Sequence, residues 1–278
     1  MLRSVVVSSL SLIFLASPST AAGDAVAAVP AAQTAAAPDL RTATIVDLTH
    51  AFDEQTLYWP TSPSAFRLER LAYGPSPGGY FYASNALCTP EHGGTHLDAP
   101  IHFGEGRRTA DQIPVRQLVA PAVVIDVSAL AAADPDYRLT RGDLAAWEAL
   151  HGVVPAGAAV LLRTGWSDRW PDRKRYFGDD TPASAANLHF PSFGAEAVTL
   201  LLGERKVGLL GVDTASIDHG PSADFPVHRL AAAAEVPGLE NLTRLDELPA
   251  TGAWVVALPM KIAGGSGGPV RVIALLQP

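Results

Sequence analysis

The chain contains a single cysteine, Cys88, among 278 residues. One thiol closes no intrachain disulfide and builds no cysteine-rich zinc finger; Cys88 reads as a small buried apolar residue rather than a nucleophile. Charge is scarce as well. Asp, Glu, Lys and Arg make up 17% of the chain, and 28 acidic residues outnumber 20 basic ones, for a net charge of −8. No basic cluster stands out beyond Arg169–Arg175, so the face that neutralises nucleic-acid phosphates is missing. The apolar stretch from Val5 to Ala16 is shorter than the roughly 20 residues that cross a bilayer. No internal repeat is visible.

The chain is rich instead in 24 glycines and 23 prolines, with 48% apolar residues. That balance describes a turn-rich globule with a substantial core, not a coiled coil or a disordered chain. The first 22 residues read as a secretory signal: Arg3 is the only charge before Asp24, the apolar stretch follows, and Pro18 leads into Ser19, Thr20, Ala21 and Ala22. No cysteine lies near that end, which removes a lipid anchor. The expected location is therefore secreted or periplasmic, with no membrane attachment after cleavage. Residues 23–39, rich in Ala and Pro, read as a linker, and residues 40–278 as one domain.

Within that domain, strands are expected at Thr44–Leu48, Phe66–Leu71, Tyr80–Ala86, Ala122–Val127, Ala158–Thr164, Val207–Val212, Trp254–Leu258 and Val270–Leu276. Ala122–Val127 is almost wholly apolar and β-branched, as in a strand covered on both faces. A helix is expected over Arg141–His151, N-capped by Thr140 and ended by Gly152. Further helices are expected over Phe193–Arg205 and Pro226–Ala234, and residues 169–192 read as a long inserted loop. The pattern predicts an α/β fold with a mixed, partly barrel-like β-sheet and helices outside it.

The most informative segment is His92 to His102. It places His92, His96, Asp98 and His102 within eleven residues. Imidazole and carboxylate are ligands for borderline-to-hard divalent metals such as zinc, manganese and iron. Gly93 and Gly94 permit backbone conformations closed to other residues, and Pro100 blocks a regular helix. A tight irregular loop turning its side chains toward one point is expected.

This run resembles the signature of the metal-dependent cyclase-like hydrolases, the family of bacterial kynurenine formamidases and isatin hydrolases. The likeness extends over residues 44–278. Asp111–Pro114, Pro121–Asp126, Arg163–Trp166 and Asp213–Ser216 are also similar to that family, and to its isatin-hydrolase-like branch in particular. The resemblance implies the family's swivelling β/β/α type of fold. It implies that His92, His96 and Asp98 are metal ligands, joined by His228 and by Glu240, twelve residues further on, around one or two ions, with Asp98 and Glu240 able to bridge. It places His102 where the family has its proton donor and acceptor, and it implies a homodimer. Zinc and manganese suit a donor set without Cys equally.

Other residues carry weaker expectations. Trp59 is either an aromatic wall for a flat substrate or a core side chain. Asp213, Ser216 and Asp218 follow a buried strand, where groups that support ligands or relay protons are often placed. Thr95 is close enough in sequence to orient Asp98. Gly264–Gly268 matches the Gly-x-Ser-x-Gly pattern, but Pro269 and a β-branched run follow Ser266 where a nucleophile elbow needs a helix. His50, His151 and His189 are expected to be structural or superficial. The reading is a hydrolase that activates water with a metal to open an amide, or an isatin-like cyclic amide, of a small aromatic compound. N-formylkynurenine is the main alternative substrate, and an exported metal- or solute-binding protein without catalysis is the rival from another class.

Overall fold

The computed structural model describes residues 38–277. The signal segment and nearly all of the linker lie outside the described residues. Strand β1 (Thr44–Asp47) is followed by a hairpin of β2 (Arg67–Pro75) and β3 (Phe81–Cys88), then by β4 (His96–Asp98) and β5 (Val119–Asp126). Next come helix α1 (Ser128–Ala133), β6 (Arg138–Leu139), α2 (Arg141–His151), β7 (Ala159–Arg163) and α3 (Arg173–Phe177). The chain continues through β8 (Ser192–Phe193), α4 (Ala195–Leu200), β9 (Leu209–Val212), α5 (Pro226–Ala233), β10 (Gly238–Glu240), β11 (Ala253–Pro259) and β12 (Gly267–Leu276). Among the described residues, no helix is long and apolar enough to cross a membrane.

The main sheet runs β12-β11-β5-β7-β9-β10-β4 and closes because β4 also pairs with β12; β1 extends β12. β5, β7, β9 and β10 are parallel, whereas β4, β11 and β12 join antiparallel. The mixed, barrel-like α/β architecture is thus as expected. Side chains alternate across it. Val124, Leu161, Leu209, Leu239, Val255 and Val272 fill one face. Val123, Ile125, Val160, Leu162, Leu210 and Val212 meet Leu144, Trp147, Val198 and Leu201 on the other. Covering a parallel strand on both faces explains its continuous apolar sequence. Helix α2 begins as its sequence dictates: Thr140 Oγ1 accepts from the Asp143 N–H at 3.1 Å, and the Asp143 carboxylate accepts from the Thr140 N–H at 2.8 Å.

Four expectations need correction. The segment His92–His102 is not irregular throughout, since His96–Asp98 forms β4, wholly buried and paired on both sides. Three residues are too few to show a period. Residues 169–192, expected as a long inserted loop, are loop only in part; α3 lies there, and Tyr176, Phe177, Leu188 and Phe190 pack with Trp166 into a third core. Phe193 belongs to β8 rather than to the following helix, and α4 starts only at Ala195. Gly194 sits where a Cβ would lie 2.5 Å from the Leu139 carbonyl oxygen, to which its N–H donates at 3.1 Å. Cys88 is exposed at the end of β3, because the hairpin it belongs to stands outside the core.

Candidate metal centre and its pocket

The backbone around Gly93 and Gly94 carries His92 and β4 toward the centre of the molecule. Both glycines have positive φ, 148° and 57°. A Cβ on Gly93 would lie 2.1 Å from the Tyr58 ring, and one on Gly94 would lie 2.5 Å from the Phe52 ring. Glycine is therefore required for conformation and for space. β4 then places His96 and Asp98 beside Glu240, because Glu240 pairs with His96 across the β10–β4 ladder. His228 reaches the same point from the first turn of α5, which starts with Pro226.

The five expected metal ligands converge. Asp98 Oδ1 is 2.6 Å from His92 Nδ1 and 3.2 Å from His96 Nε2, while Oδ2 is 3.1 Å from His228 Nε2. Glu240 Oε1 is 3.1 Å from His228 Nε2, and Oε2 is 3.4 Å from His96 Nε2. Each carboxylate thus faces imidazoles from both sides. The tautomers follow from the outer partners. His96 Nδ1 donates to the Gly94 carbonyl at 2.9 Å, and His228 Nδ1 donates to Asp218 Oδ2 at 2.7 Å. In the neutral rings, both Nε2 lone pairs then point at carboxylate oxygens, so acceptors face acceptors. Such an arrangement calls for a cation between them.

In the protein alone, protons serve that purpose. Burial works against a charged His96, but the hydrogen bond to Asp98 and the charges of Asp98 and Glu240 outweigh it, and its pKa is pushed up to about 9. His228 is also buried, and Asp218, Asp98 and Glu240 hold it well above its ordinary value. Burial would raise Asp98, but the neighbouring charges of His92 and His102 and the bonds to His228 and His92 hold it well below the usual carboxylate range. The donor set, imidazole nitrogens with carboxylate oxygens and no thiolate, fits a divalent ion. His92, His96 and Asp98 form one triplet of convergent donors, and Asp98, His102 and His228 another, sharing Asp98.

His102 is different in kind. Its ring stacks on His92, centroids 3.8 Å apart, and is flanked edgewise by Phe103, yet it remains exposed on the pocket side. Desolvation by those flanks outweighs the pull of Asp98, and the other imidazoles add to it, lowering its pKa to about 4. The open side moderates the size of that shift, not its direction, which is toward a neutral ring.

The pocket above these groups has a volume of about 270 Å³, and Trp59, Phe103, Phe177 and Phe225 supply its aromatic walls. Trp59 also packs edgewise on Phe190 and Phe225, so it is both wall and core. Among the described residues, no lysine or arginine lines the cavity.

Ser216 lines the cavity and its Oγ accepts from the Asp218 N–H at 3.2 Å. Asp213 does not reach the cavity; its buried carboxylate accepts from Thr164 N, Thr164 Oγ1 and Gly165 N, and burial raises its pKa to about 6. Thr95 does not touch Asp98. Its hydroxyl donates to the Asn241 carbonyl at 2.6 Å and accepts from the His50 N–H at 2.9 Å. His50 stacks on Trp170, and His189 is an exposed partner of Asp136.

The sequence singles out both Asp218 and His228 but does not pair them. Asp218 accepts from the backbone N–H groups of Val227 and His228 as well as from Nδ1 of His228, the carboxylate–imidazole pairing that orients ligand histidines. Asn241, missed entirely, donates to the Gly94 carbonyl at 2.7 Å and accepts from the Tyr176 hydroxyl at 2.9 Å. Its only sequence signal is that it follows Glu240.

A barrel-like sheet whose rim carries a histidine–carboxylate cluster under an aromatic pocket defines the class, and the chain belongs to the cyclase family, whose model matches residues 46–219. Isatin hydrolase of Roseibium aggregatum is 38% identical over 206 residues, covering 71% of this chain and 76% of that protein. A kynurenine formamidase of Salinibacter ruber is 27% identical over 229 residues, covering 82% of this chain and 96% of the relative. A crystal structure of an isatin hydrolase bound to the product analogue thioisatinate superposes with a TM-score of 0.79 at 33% identity, covering 86% of this chain and 94% of that one. The chain is a homologue of isatin hydrolase with kynurenine formamidases as more distant relatives.

Proposed function

We propose that this protein hydrolyses the cyclic amide of a small, flat aromatic compound, with an isatin-like lactam as first choice. The observation that carries the substrate class is the cavity: about 270 Å³, walled by Trp59, Phe103, Phe177 and Phe225, and without a lysine or arginine. That volume lies just below the usual range of ligand pockets, about 300–1,000 Å³, and suits one fused ring system. An amino-acid tail, as in N-formylkynurenine, finds no cationic side chain there for its carboxylate. The 38% identity to an isatin hydrolase supports the same choice.

The chemistry divides among the residues. A divalent ion, manganese or zinc, bound singly or as a pair, supplies Lewis acidity and brings the pKa of water toward about 7. His92, His96, Asp98, His228 and Glu240 would hold it. The aromatic walls orient the ring and exclude bulk water. Neutral His102 takes a proton as the water oxygen bonds to the carbonyl carbon. It returns that proton to the leaving nitrogen as the C–N bond breaks. The test is a comparison of kcat/KM for isatin and N-formylkynurenine. Isatin should lead by roughly 10–100-fold, since an unpaired polar or charged group costs about 1–3 kcal/mol; a preference for N-formylkynurenine would overturn the choice of lactam.

The proposal extends to location and assembly. The composition of residues 1–22 supports export to the periplasm or medium. The β2–β3 hairpin supports a homodimer. Leu68, Tyr73, Phe81 and Leu87 share one face of it by register, and with Leu71, Tyr80 and Tyr82 they are 53–68% exposed. At roughly 200 Å² per full aromatic side chain and somewhat less for leucine, the four on that face expose on the order of 400 Å². That lies within the ~300–600 Å² of the largest patch on a typical monomer, a size that is often functional, and is about half of the ~800 Å² that each partner of a stable pair buries. A two-stranded hairpin is also marginal alone in water, and a second copy of the same apolar face would cover it. Light scattering should show a dimer for the wild type and a monomer for Leu68→Glu/Phe81→Glu; a monomeric wild type would refute the assembly.

A further inference from the structure

The loop Gly264–Gly268, which carries no nucleophile elbow, lies against the metal cluster. Ser266 Oγ is 2.8 Å from His92 Nε2 and donates to Glu91 Oε2 at 2.5 Å, and the same carboxylate oxygen accepts from the Ser266 N–H at 3.0 Å. The flanking glycines make this approach possible. A Cβ on Gly267 would lie 2.7 Å from His92 Cε1, and one on Gly265 would lie 2.9 Å from Glu91 Oε1. The backbone of Ser266 is fixed as well, its carbonyl accepting from the Ala99 N–H at 2.9 Å.

Proton counting makes this chain directional. A carboxylate only accepts, and a hydroxyl has one proton to give. Ser266 spends that proton on Glu91, so it can only accept from His92. His92 Nε2 therefore carries the ring proton, and the Nδ1 lone pair faces Asp98 Oδ1, 2.6 Å away, where a cation belongs. We propose that Glu91 and Ser266 are positioning residues that set the tautomer and orientation of His92 for metal binding through Nδ1. This rests on the metal-hydrolase reading above. It adds two residues that do not line the pocket and act only through His92.

The experiment is a titration of metal-stripped protein with manganese and with zinc, for the wild type, Ser266→Ala, Glu91→Leu and Ser266→Thr, with melting temperature as a control for folding. Ser266→Ala and Glu91→Leu should bind about 10–100-fold more weakly, the usual cost of losing a partner behind a ligand. Ser266→Thr keeps the hydroxyl and should stay near the wild type. Long-range ¹H–¹⁵N spectra of the metal-free protein, with the ring neutral, read the tautomer directly. His92 should carry its proton on Nε2 in the wild type. In Glu91→Leu the proton should shift toward Nδ1, because the Ser266 hydroxyl loses its acceptor and its proton is free for His92. Unchanged metal affinities in both variants, or an Nδ1-protonated His92 in the wild type, would overturn the inference while leaving the hydrolase reading intact. A wild type that binds no divalent ion would sink that reading instead, and the tautomer would still decide the role of Glu91 and Ser266.

Discussion

Replacing His102 by alanine should leave the metal bound and reduce kcat by about 10²–10⁴-fold, the range for a positioned general acid–base group. The histidine–carboxylate cluster closes without it: His92, His96, Asp98, His228 and Glu240 are linked within 2.6–3.4 Å. His102 stacks on that cluster with its free side toward the pocket. Its surroundings favour the neutral ring at pH 7, the form that can accept a proton. Metal content by atomic emission and turnover measured on the same sample separate the two roles. A variant that loses its metal would show His102 to be a ligand, and one that keeps full turnover would show that it transfers no proton.

Asp98→Asn should be more damaging. The side chain keeps its shape and loses the charge toward which His92, His96 and His228 converge. Metal binding should fail, and with it several kcal/mol of transition-state stabilisation, a fall of about 10³-fold or more. The metal-free proteins should also differ in pH response. His96 has a pKa raised to about 9 from an ordinary 6.5. Its stabilising contribution is therefore complete below 6.5 and disappears as pH rises through 9. The melting temperature of metal-free wild type should decline over that window, and the decline should be smaller in Asp98→Asn, which removes the largest source of the shift after burial. Equal slopes in both proteins would contradict this account of the cluster's electrostatics.

Much of the site is legible in one stretch of sequence because local geometry builds half of it. His92, His96 and Asp98 are close in the chain, and Gly93 and Gly94 announce the bend that gathers them. His228 and Glu240 are another matter. Nothing local shows that α5 and β10 approach β4, and only the family resemblance pairs them with the loop. Asp218 stands ten positions before His228, and its role depends on the α5 N-terminus folding back over it. The pocket walls are least legible of all, because Trp59, Phe103, Phe177 and Phe225 come from four separate segments that closure of the sheet brings together. In the fold, periodicity and caps locate the long strands and α2. It fails for β4 and β10, three residues each, where pairing with neighbours rather than sequence pattern makes the strand. The buried aromatics Tyr176, Phe177 and Phe190 are likewise hidden by the polar residues around them.

The most direct test of the central claim is isatin ring opening, followed by absorbance, with protein first stripped of metal and then given manganese or zinc. The stripped protein should be inactive, and turnover should return in proportion to the metal bound. Full turnover by protein verified to be metal-free would contradict the assignment of the histidine–carboxylate cluster as the centre of a metal-dependent hydrolase.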